Sequence, residues 1–419
     1  MSTTVRNSTP DRGTHNPPED GGGRLPGVED GALSALMTPT GWALLEALPP
    51  YDERTAMGLG QRLRDDGLDP ALVSAALTQS RLRTRATAKF GPFAAGMLFT
   101  PDGLEQATRL EVAARHAQRF AAAGVGRVAD LGCGIGGDAM ALAGLDREVL
   151  AVDRDEVAAA VATVNLRHWP EAVVRREDAT STSLDGVDGA YLDPSRRTSS
   201  GKRVLDPRQA SPPLSFVTHL AARLPAVGAK VAPGIAHSLV PDGAEAQWVS
   251  VDGDVVEAGL WFGLLAREGV ARSAVLLRDG QVTQVDDRDM PTPTTGPVGA
   301  YLYEPDGAVI RAGLVGQVAD AVGGRLLDRS IAYVTTDARH DTPLARGYVV
   351  DDVMPFGVKA LRTYLRDRGV GRVEIKKRGT AVTPEQLRRQ LRLTGTGSAT
   401  IVLTRVAGQQ SVLVCRPLT

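Results

Sequence analysis

One run of glycines constrains this chain more than any other feature. Val128-Ala129-Asp130-Leu131-Gly132-Cys133-Gly134-Ile135-Gly136-Gly137-Asp138 joins a short apolar segment to a helical one. Residues 128–131 read as a strand, the chain turns on the glycines, and a helix is predicted to start near Gly137. Glycine lets the backbone come close to a ligand and aims helix N-terminal amides at it. A second apolar strand ends at Asp153, about twenty residues after the first glycine, the separation found in nucleotide-binding βαβ units. A carboxylate there can accept hydrogen bonds from two adjacent ribose hydroxyls. The turn is built for a nucleotide-type cofactor.

Two glycine patterns overlap in this turn. Gly132, Gly134 and Gly137 satisfy G-x-G-x-x-G, which leaves an NAD-dependent oxidoreductase as a rival reading. Gly132, Gly134 and Gly136 satisfy D-x-G-x-G-x-G, with Asp130 two residues ahead of the first glycine. Asp130 would repel a pyrophosphate but suits the cationic amino group and sulfonium of S-adenosylmethionine. No proton-relay residue for hydride chemistry is evident, so the charge favours the methyl donor.

The rest of the chain frames this turn. Candidate strands at 128–131, 148–152, 172–174, 187–192 and 229–232 alternate with helices, which argues for a parallel, doubly wound α/β sheet over residues 124–285. A hairpin at 247–262 is expected to end that sheet, with a strand-like stretch at 274–277 after it. Residues 31–123 read as helical, with one long helix from Thr100 to about Ala123. Residues 1–30 are too poor in apolar side chains to order themselves and are expected to be a disordered tail. Residues 286–297 are Pro/Thr-rich and look like a linker, and 298–419 read as a separate α+β domain. With 419 residues and a net charge of −1, the chain can build several cores and has no overall basic character. Its two cysteines, Cys133 and Cys415, and six scattered histidines give no disulfide framework and no metal signature. No apolar run reaches the ~20 residues needed to span a bilayer. The expectation is a cytoplasmic protein with no metal and no membrane partner.

The fourth strand leads into Tyr191-Leu192-Asp193-Pro194-Ser195-Arg196-Arg197. The strand delivers Asp193 to the sheet edge where doubly wound folds hold ligands, and Pro194 fixes the backbone there. A carboxylate so placed can accept a hydrogen bond from an exocyclic amino group and aim the nitrogen lone pair at a methyl group. Arg196, Arg197, Lys202 and Arg203 make the following loop basic, suited to substrate phosphate.

Residues 128–193 resemble a class I S-adenosylmethionine-dependent methyltransferase. That resemblance implies a Rossmann-like domain in which Asp130, Gly132, Gly134 and Gly136 hold the methionine part, Asp153 with Arg154 the ribose, and Asp178 the adenine. It also implies catalytic roles for Asp193, Pro194, Ser195 and Arg196. Amino-methylating relatives carry Asp/Asn-Pro-Pro-aromatic here, and Ser195 and Arg196 replace the second proline and the aromatic. Phe90, Phe93 and Phe99 are the candidates to supply the missing ring. The Asp-Pro-Ser-Arg-Arg form, with a helical N-terminal part and a C-terminal α+β domain, is similar to bacterial methyltransferases with a THUMP-like C-terminal domain. Val373-Glu374-Ile375-Lys376-Lys377-Arg378-Gly379-Thr380 carries that second likeness, which implies an RNA substrate.

Charge distribution points the same way. Between Lys359 and Arg392 stand eleven cations against three acids, a local charge of +8. Lys376, Lys377, Arg378, Arg388, Arg389 and Arg392 are the candidate RNA contacts. The rivals are an RNA-binding protein that keeps the cofactor pocket without catalysis, and a methyltransferase acting on a small molecule.

Overall fold

A computed structural model of the chain describes residues 31–195 and 206–418. The tail expected at 1–30, the basic loop from Arg197 to Arg203 and the candidate Arg196 lie outside the described residues. The chain divides into two compact units between Arg81 and Leu82.

The first unit is helical: α1 (Gly31–Leu36), α2 (Pro39–Ala47), α3 (Glu53–Asp65) and the opening turns of α4 (Pro70–Phe90). Local chemistry sets each start. Thr38 Oγ1 accepts the Gly41 amide at 3.1 Å, Asp52 accepts that of Arg54 at 3.0 Å, and Asp69 accepts that of Leu72 at 2.9 Å. Pro39 and Pro70 occupy first helical positions, where a missing N–H costs nothing. Gly41 is required because a Cβ there would lie 2.1 Å from the Ala35 carbonyl oxygen, so α1 and α2 cross in backbone contact.

The second unit takes the rest of α4 and continues with α5 (Pro101–Gln106) and α6 (Leu110–Ala122). The single helix expected from Thr100 to Ala123 is thus broken at 107–109. Lys89 is the cause: its Nζ donates to the carbonyls of Leu104 (2.8 Å), Glu105 (2.7 Å) and Ala107 (2.8 Å), ending α5. Burial, with the charges of Lys230 and Arg109, brings this ammonium down to about 8. The break turns Thr108 into the interior.

There follow β1 (Arg127–Leu131), α7 (Gly137–Ala143), β2 (Glu148–Asp153), α8 (Glu156–Asn165), β3 (Ala172–Arg176), β4 (Gly189–Leu192), α9 (Leu214–Ala221) and β5 (Ala226–Val231). Next come β6 (Glu245–Val251), β7 (Asp254–Gly263), β8 (Arg272–Arg278) and β9 (Gln281–Asp286). The described residues form a nine-stranded sheet in the order β3-β2-β1-β4-β5-β7-β6-β8-β9. Strands β1 to β5 are parallel, as the βα rhythm predicts, and the order reverses between β1 and β4. Every residue of β4 and β5 is buried, the pattern of strands covered on both faces. The hairpin β6–β7 does not end the sheet. β8 pairs parallel with β6, and β9 closes the edge antiparallel to β8.

A second sheet holds β10 (Tyr301–Pro305), β11 (Arg325–Asp328), β12 (Ile331–Thr336), β13 (Ala345–Pro355), β14 (Val370–Lys377), β15 (Gly397–Val406) and β16 (Gln409–Pro417), in the order β11-β12-β10-β13-β16-β15-β14. Its helices are α10 (Gly307–Ala312), α11 (Val315–Ala321), α12 (Val358–Asp367) and α13 (Pro384–Leu391). Leu361, Leu365, Leu387 and Leu391 seat α12 and α13 on Ile375, Ile401, Leu403, Val412 and Val414. α10 lies against β6 and β8 of the first sheet. One apolar core runs through both sheets, from Trp248, Ala274 and Leu276 to Ala308, Val309, Leu314 and Val334. Residues 287–300 form neither helix nor strand, yet they are tied down: Thr294 accepts the Leu326 amide at 2.8 Å, Gly296 donates to the Leu326 carbonyl at 3.1 Å, and Asp287 holds Arg272.

Candidate active site

The glycine turn leaves β1 in three left-handed steps, Gly132 (φ 88°), Gly134 (φ 55°) and Gly136 (φ 84°), which side chains avoid. A Cβ on Gly132 would stand 3.2 Å from the Asp193 carbonyl oxygen, so the turn runs against the end of β4. A Cβ on Gly134 would meet nothing within 4 Å. The amides of Gly132 and Cys133 both donate to the Val152 carbonyl, at 2.8 and 3.0 Å. Asp153 accepts the Gly134 amide at 2.9 Å on one carboxylate oxygen and the Asp155 amide at 2.9 Å on the other. It braces the glycine turn from the neighbouring strand and keeps lone pairs to offer, since a carboxylate has about four acceptor sites.

Asp130 is 1% exposed and its Oδ2 has no hydrogen-bond partner. Burial, then the charges of Asp138, Asp193 and Asp153, push its carboxyl well above the ordinary carboxylate range. A buried carboxyl with one oxygen unpartnered, beside an open glycine turn, fits a cationic ligand group. Arg154 is exposed. Asp178 is also exposed, and its Oδ1 accepts the hydroxyl (2.6 Å) and amide (2.8 Å) of Thr180. Those bonds, with the charge of Arg154, hold its carboxyl below the usual range.

The register aligns a row of side chains on one face of the sheet. Asp130 pairs with Tyr191, Tyr191 with Gly228, Gly228 with Trp261, and Lys230 with Gly259. Asp193 continues the row from β4 and Glu257 from β7. Gly228 and Gly259 leave room for the Trp261 ring, which a Cβ at either would approach to 2.5 and 2.8 Å. α6 and α7 bring His116 and Asp138 onto the same row. Nδ1 of His116 lies 2.8 Å from Asp138 and Nε2 lies 2.7 Å from Glu257. Burial disfavours its charge, but Glu257 and Asp138 overcome that and push the imidazole up to about 10. Tyr191 and Trp261 flank the ring, with centroids at 4.8 and 5.5 Å.

Asp193 meets Lys230 here. Its Oδ2 is 2.5 Å from Nζ of Lys230, whose side chain is 6% exposed and which also donates to Thr108 Oγ1 at 3.0 Å. Burial disfavours that ammonium, yet Asp193, Glu257 and Asp138 raise its pKa above the ordinary lysine value. Pro194 is buried, and Ser195 exchanges backbone hydrogen bonds with Ser211, at 2.8 and 3.1 Å.

Of the three phenylalanines, Phe90 and Phe99 are core residues in contact with each other, with ring centroids 5.6 Å apart, and only Phe93 is exposed. Asn165, at the end of α8, is buried and clamps this segment to the glycine turn. It accepts the Leu98 amide at 2.8 Å and donates to the carbonyls of Leu98 (3.1 Å) and Ile135 (2.9 Å).

The candidate RNA contacts divide. Lys377, Arg388, Arg389 and Arg392 are exposed. Lys376 points to the other sheet face from its neighbour Ile375, where its Nζ lies 2.8 Å from Glu304, and Arg378 lies 3.6 Å from the same carboxylate. Among the described residues no group of His, Cys, Asp and Glu is arranged to hold a metal ion, and no helix is long and apolar enough to cross a membrane.

Comparison with known proteins bears on this site. A family model described as THUMP domain-like matches residues 345–417, and one described as a domain of unknown function matches 31–86. Two Mycobacterium tuberculosis proteins, from strains CDC 1551 and H37Rv, are each 36% identical over 363 residues, covering 80% of this chain and 95% of theirs. Both are named uncharacterized S-adenosylmethionine-dependent methyltransferases. A crystal structure from Porphyromonas gingivalis W83, described as a methyltransferase, matches with TM-score 0.65 and 21% identity over 88% of this chain and 100% of that one, which is a likeness of fold.

Proposed function

The chain belongs to the S-adenosylmethionine-dependent methyltransferases, and from that premise we propose that it methylates a nitrogen atom of RNA, with Asp193 as the acceptor contact. In this reading Asp130 and the turn through Gly132, Gly134 and Gly136 hold the methionine end of the cofactor. Asp153 and Arg154 hold the ribose, and Asp178 holds the adenine. The cofactor, when bound, supplies an electrophilic methyl group whose leaving group is a neutral thioether. The protein's part is alignment. Asp193 accepts a hydrogen bond from the acceptor's amino group and turns its lone pair toward the methyl, while Pro194 and the Ser195–Ser211 bridge stiffen the backbone that carries it. Arg196 would hold substrate phosphate.

The observation that carries this reading is the closeness of Asp193 to the glycine turn: its amide donates to the Leu131 carbonyl at 3.4 Å, and Gly132 lies against its own carbonyl. An acceptor carboxylate beside the cofactor turn is what in-line transfer requires. RNA as substrate is supported by the THUMP-like match and by the exposed cations Lys377, Arg388, Arg389 and Arg392. Phe93, the exposed ring of its segment, is our candidate to stack on the acceptor base.

The test uses tritiated S-adenosylmethionine with total RNA from a strain lacking this chain. Label should enter RNA, be released by ribonuclease, and fall at least 100-fold with Asp193→Ala. Label entering only small molecules would overturn the RNA assignment.

A further inference from the structure

Beyond this site assignment, and resting on the reading of Asp193 as acceptor contact, we infer that Lys230 is a positioning residue for methyl transfer: its buried ammonium fixes the plane and the charge of the Asp193 carboxylate. Lys230 is the one charged residue of the six-residue strand Ala226–Val231, every residue of which is buried. Its Nζ is held on two sides, by Asp193 Oδ2 at 2.5 Å and by Thr108 Oγ1 at 3.0 Å. Thr108 is there because Lys89 ends α5 and turns the chain inward.

A lysine on a covered strand is costly unless paired, and this buried ammonium pairs at 2.5 Å with a carboxylate that is itself partly exposed. Fixing Oδ2 sets the carboxylate plane, and with it the direction of the remaining lone pairs. An alanine or serine at 230 would remove this ammonium and leave Asp193 beside Asp130, with Asp138 and Glu257 on the same face. In that company a carboxyl group favours its protonated form, and a protonated Asp193 would offer the acceptor amine a donor where an acceptor is needed. Lys230 therefore acts through Asp193. It has no lone pair to take a proton while charged, so no proton transfer is assigned to it.

The experiment compares Lys230→Met, Lys230→Arg, Asp193→Ala and Asp193→Asn in the full chain, with total RNA as acceptor and calorimetry of S-adenosylmethionine binding in parallel. Lys230→Met should bind the cofactor within about threefold of the parent, lose about 100-fold in kcat at pH 7, and regain part of it at pH 9 as Asp193 ionises. Lys230→Arg should keep the parent's pH profile with a smaller loss. A loss equal at all pH values, or one that tracks cofactor affinity, would overturn the inference. Full activity in Asp193→Ala would instead overturn the reading of Asp193, since alanine offers the amine no acceptor. An acceptor-independent measurement covers a variant that fails to turn over. In protein carrying carboxyl-13C aspartate, the Asp193 signal, identified by its absence in Asp193→Asn, should titrate at higher pH in Lys230→Met. If that variant does not fold, Thr108→Val should move the same signal the same way by less. An unmoved signal refutes the role.

Discussion

Oε1 of Glu257 lies 2.7 Å from Nε2 of His116, 141 positions earlier in the chain. Asp138 holds the other ring nitrogen, so the imidazole is a buried cation between two carboxylates from different elements. Its pKa of about 10 against an ordinary 6.5 means the folded chain keeps a proton that the unfolded chain has lost. The stabilisation is complete below pH 6.5, declines as pH rises, and is gone above about pH 10. Urea unfolding at pH 6, 8 and 10 should show that decline, and His116→Ala should cost about 3–5 kcal/mol at pH 6 and flatten it. A stability that rises between pH 7 and 10 would contradict this account.

Asp130 leads to a prediction of opposite sign for ligand binding. Burial and the neighbouring carboxylates raise its pKa well above the ordinary carboxylate value, so it holds its proton to higher pH than a free carboxyl does. A cationic cofactor favours the ionised form, so binding should release a proton and the affinity should rise with pH. Calorimetry in buffers of different ionisation enthalpy reads the proton directly. Asp130→Asn should bind several-fold more weakly and release none. Equal heats in all buffers for the parent protein would refute the argument.

Asn165→Ala removes three hydrogen bonds that tie Leu98 and Ile135 together. Leaving those buried backbone groups unpaired should cost about 3 kcal/mol in urea unfolding. Because Ile135 belongs to the glycine turn, cofactor affinity should fall in the same variant. Unchanged affinity would show that the clamp serves the fold alone.

The basic surface makes a salt-dependent prediction. Arg388→Ala with Arg389→Ala should lower the slope of log affinity against log salt for a labelled single-stranded RNA by about 1.4. Lys376→Ala should leave RNA affinity within twofold while destabilising the chain, because Lys376 serves Glu304. An effect of Lys376→Ala as large as the double change would reverse that assignment.

What could be read from the sequence was whatever is local along it. The glycine turn and Asp193 declare themselves within a dozen residues, and Asp153 by its spacing of about twenty residues from that turn, because strand ends and a tight turn dictate their types. The helical N-terminal part and the parallel strands follow from periodicity in the same way. Lys230, Thr108, His116, Glu257 and Asn165 are silent by that measure. Thr108 and Lys230 are 122 positions apart, and Asn165 reaches Leu98 across 67. The break at 107–109 was missed for the same reason, since the lysine that caps α5 sits on the preceding helix. A charged residue in an apolar strand is the one sequence signal for Lys230, because a lysine there must find a partner.

The core that runs from Trp248 and Leu276 to Val309 and Leu314 leaves no seam between the two sheets. If the proposed RNA substrate is gripped at Arg388 and Arg389, it would meet Asp193 at a span the fold itself sets. On the proposed function the two sheets would then act as a ruler, selecting a nucleotide by how far it lies from the place where the RNA is held.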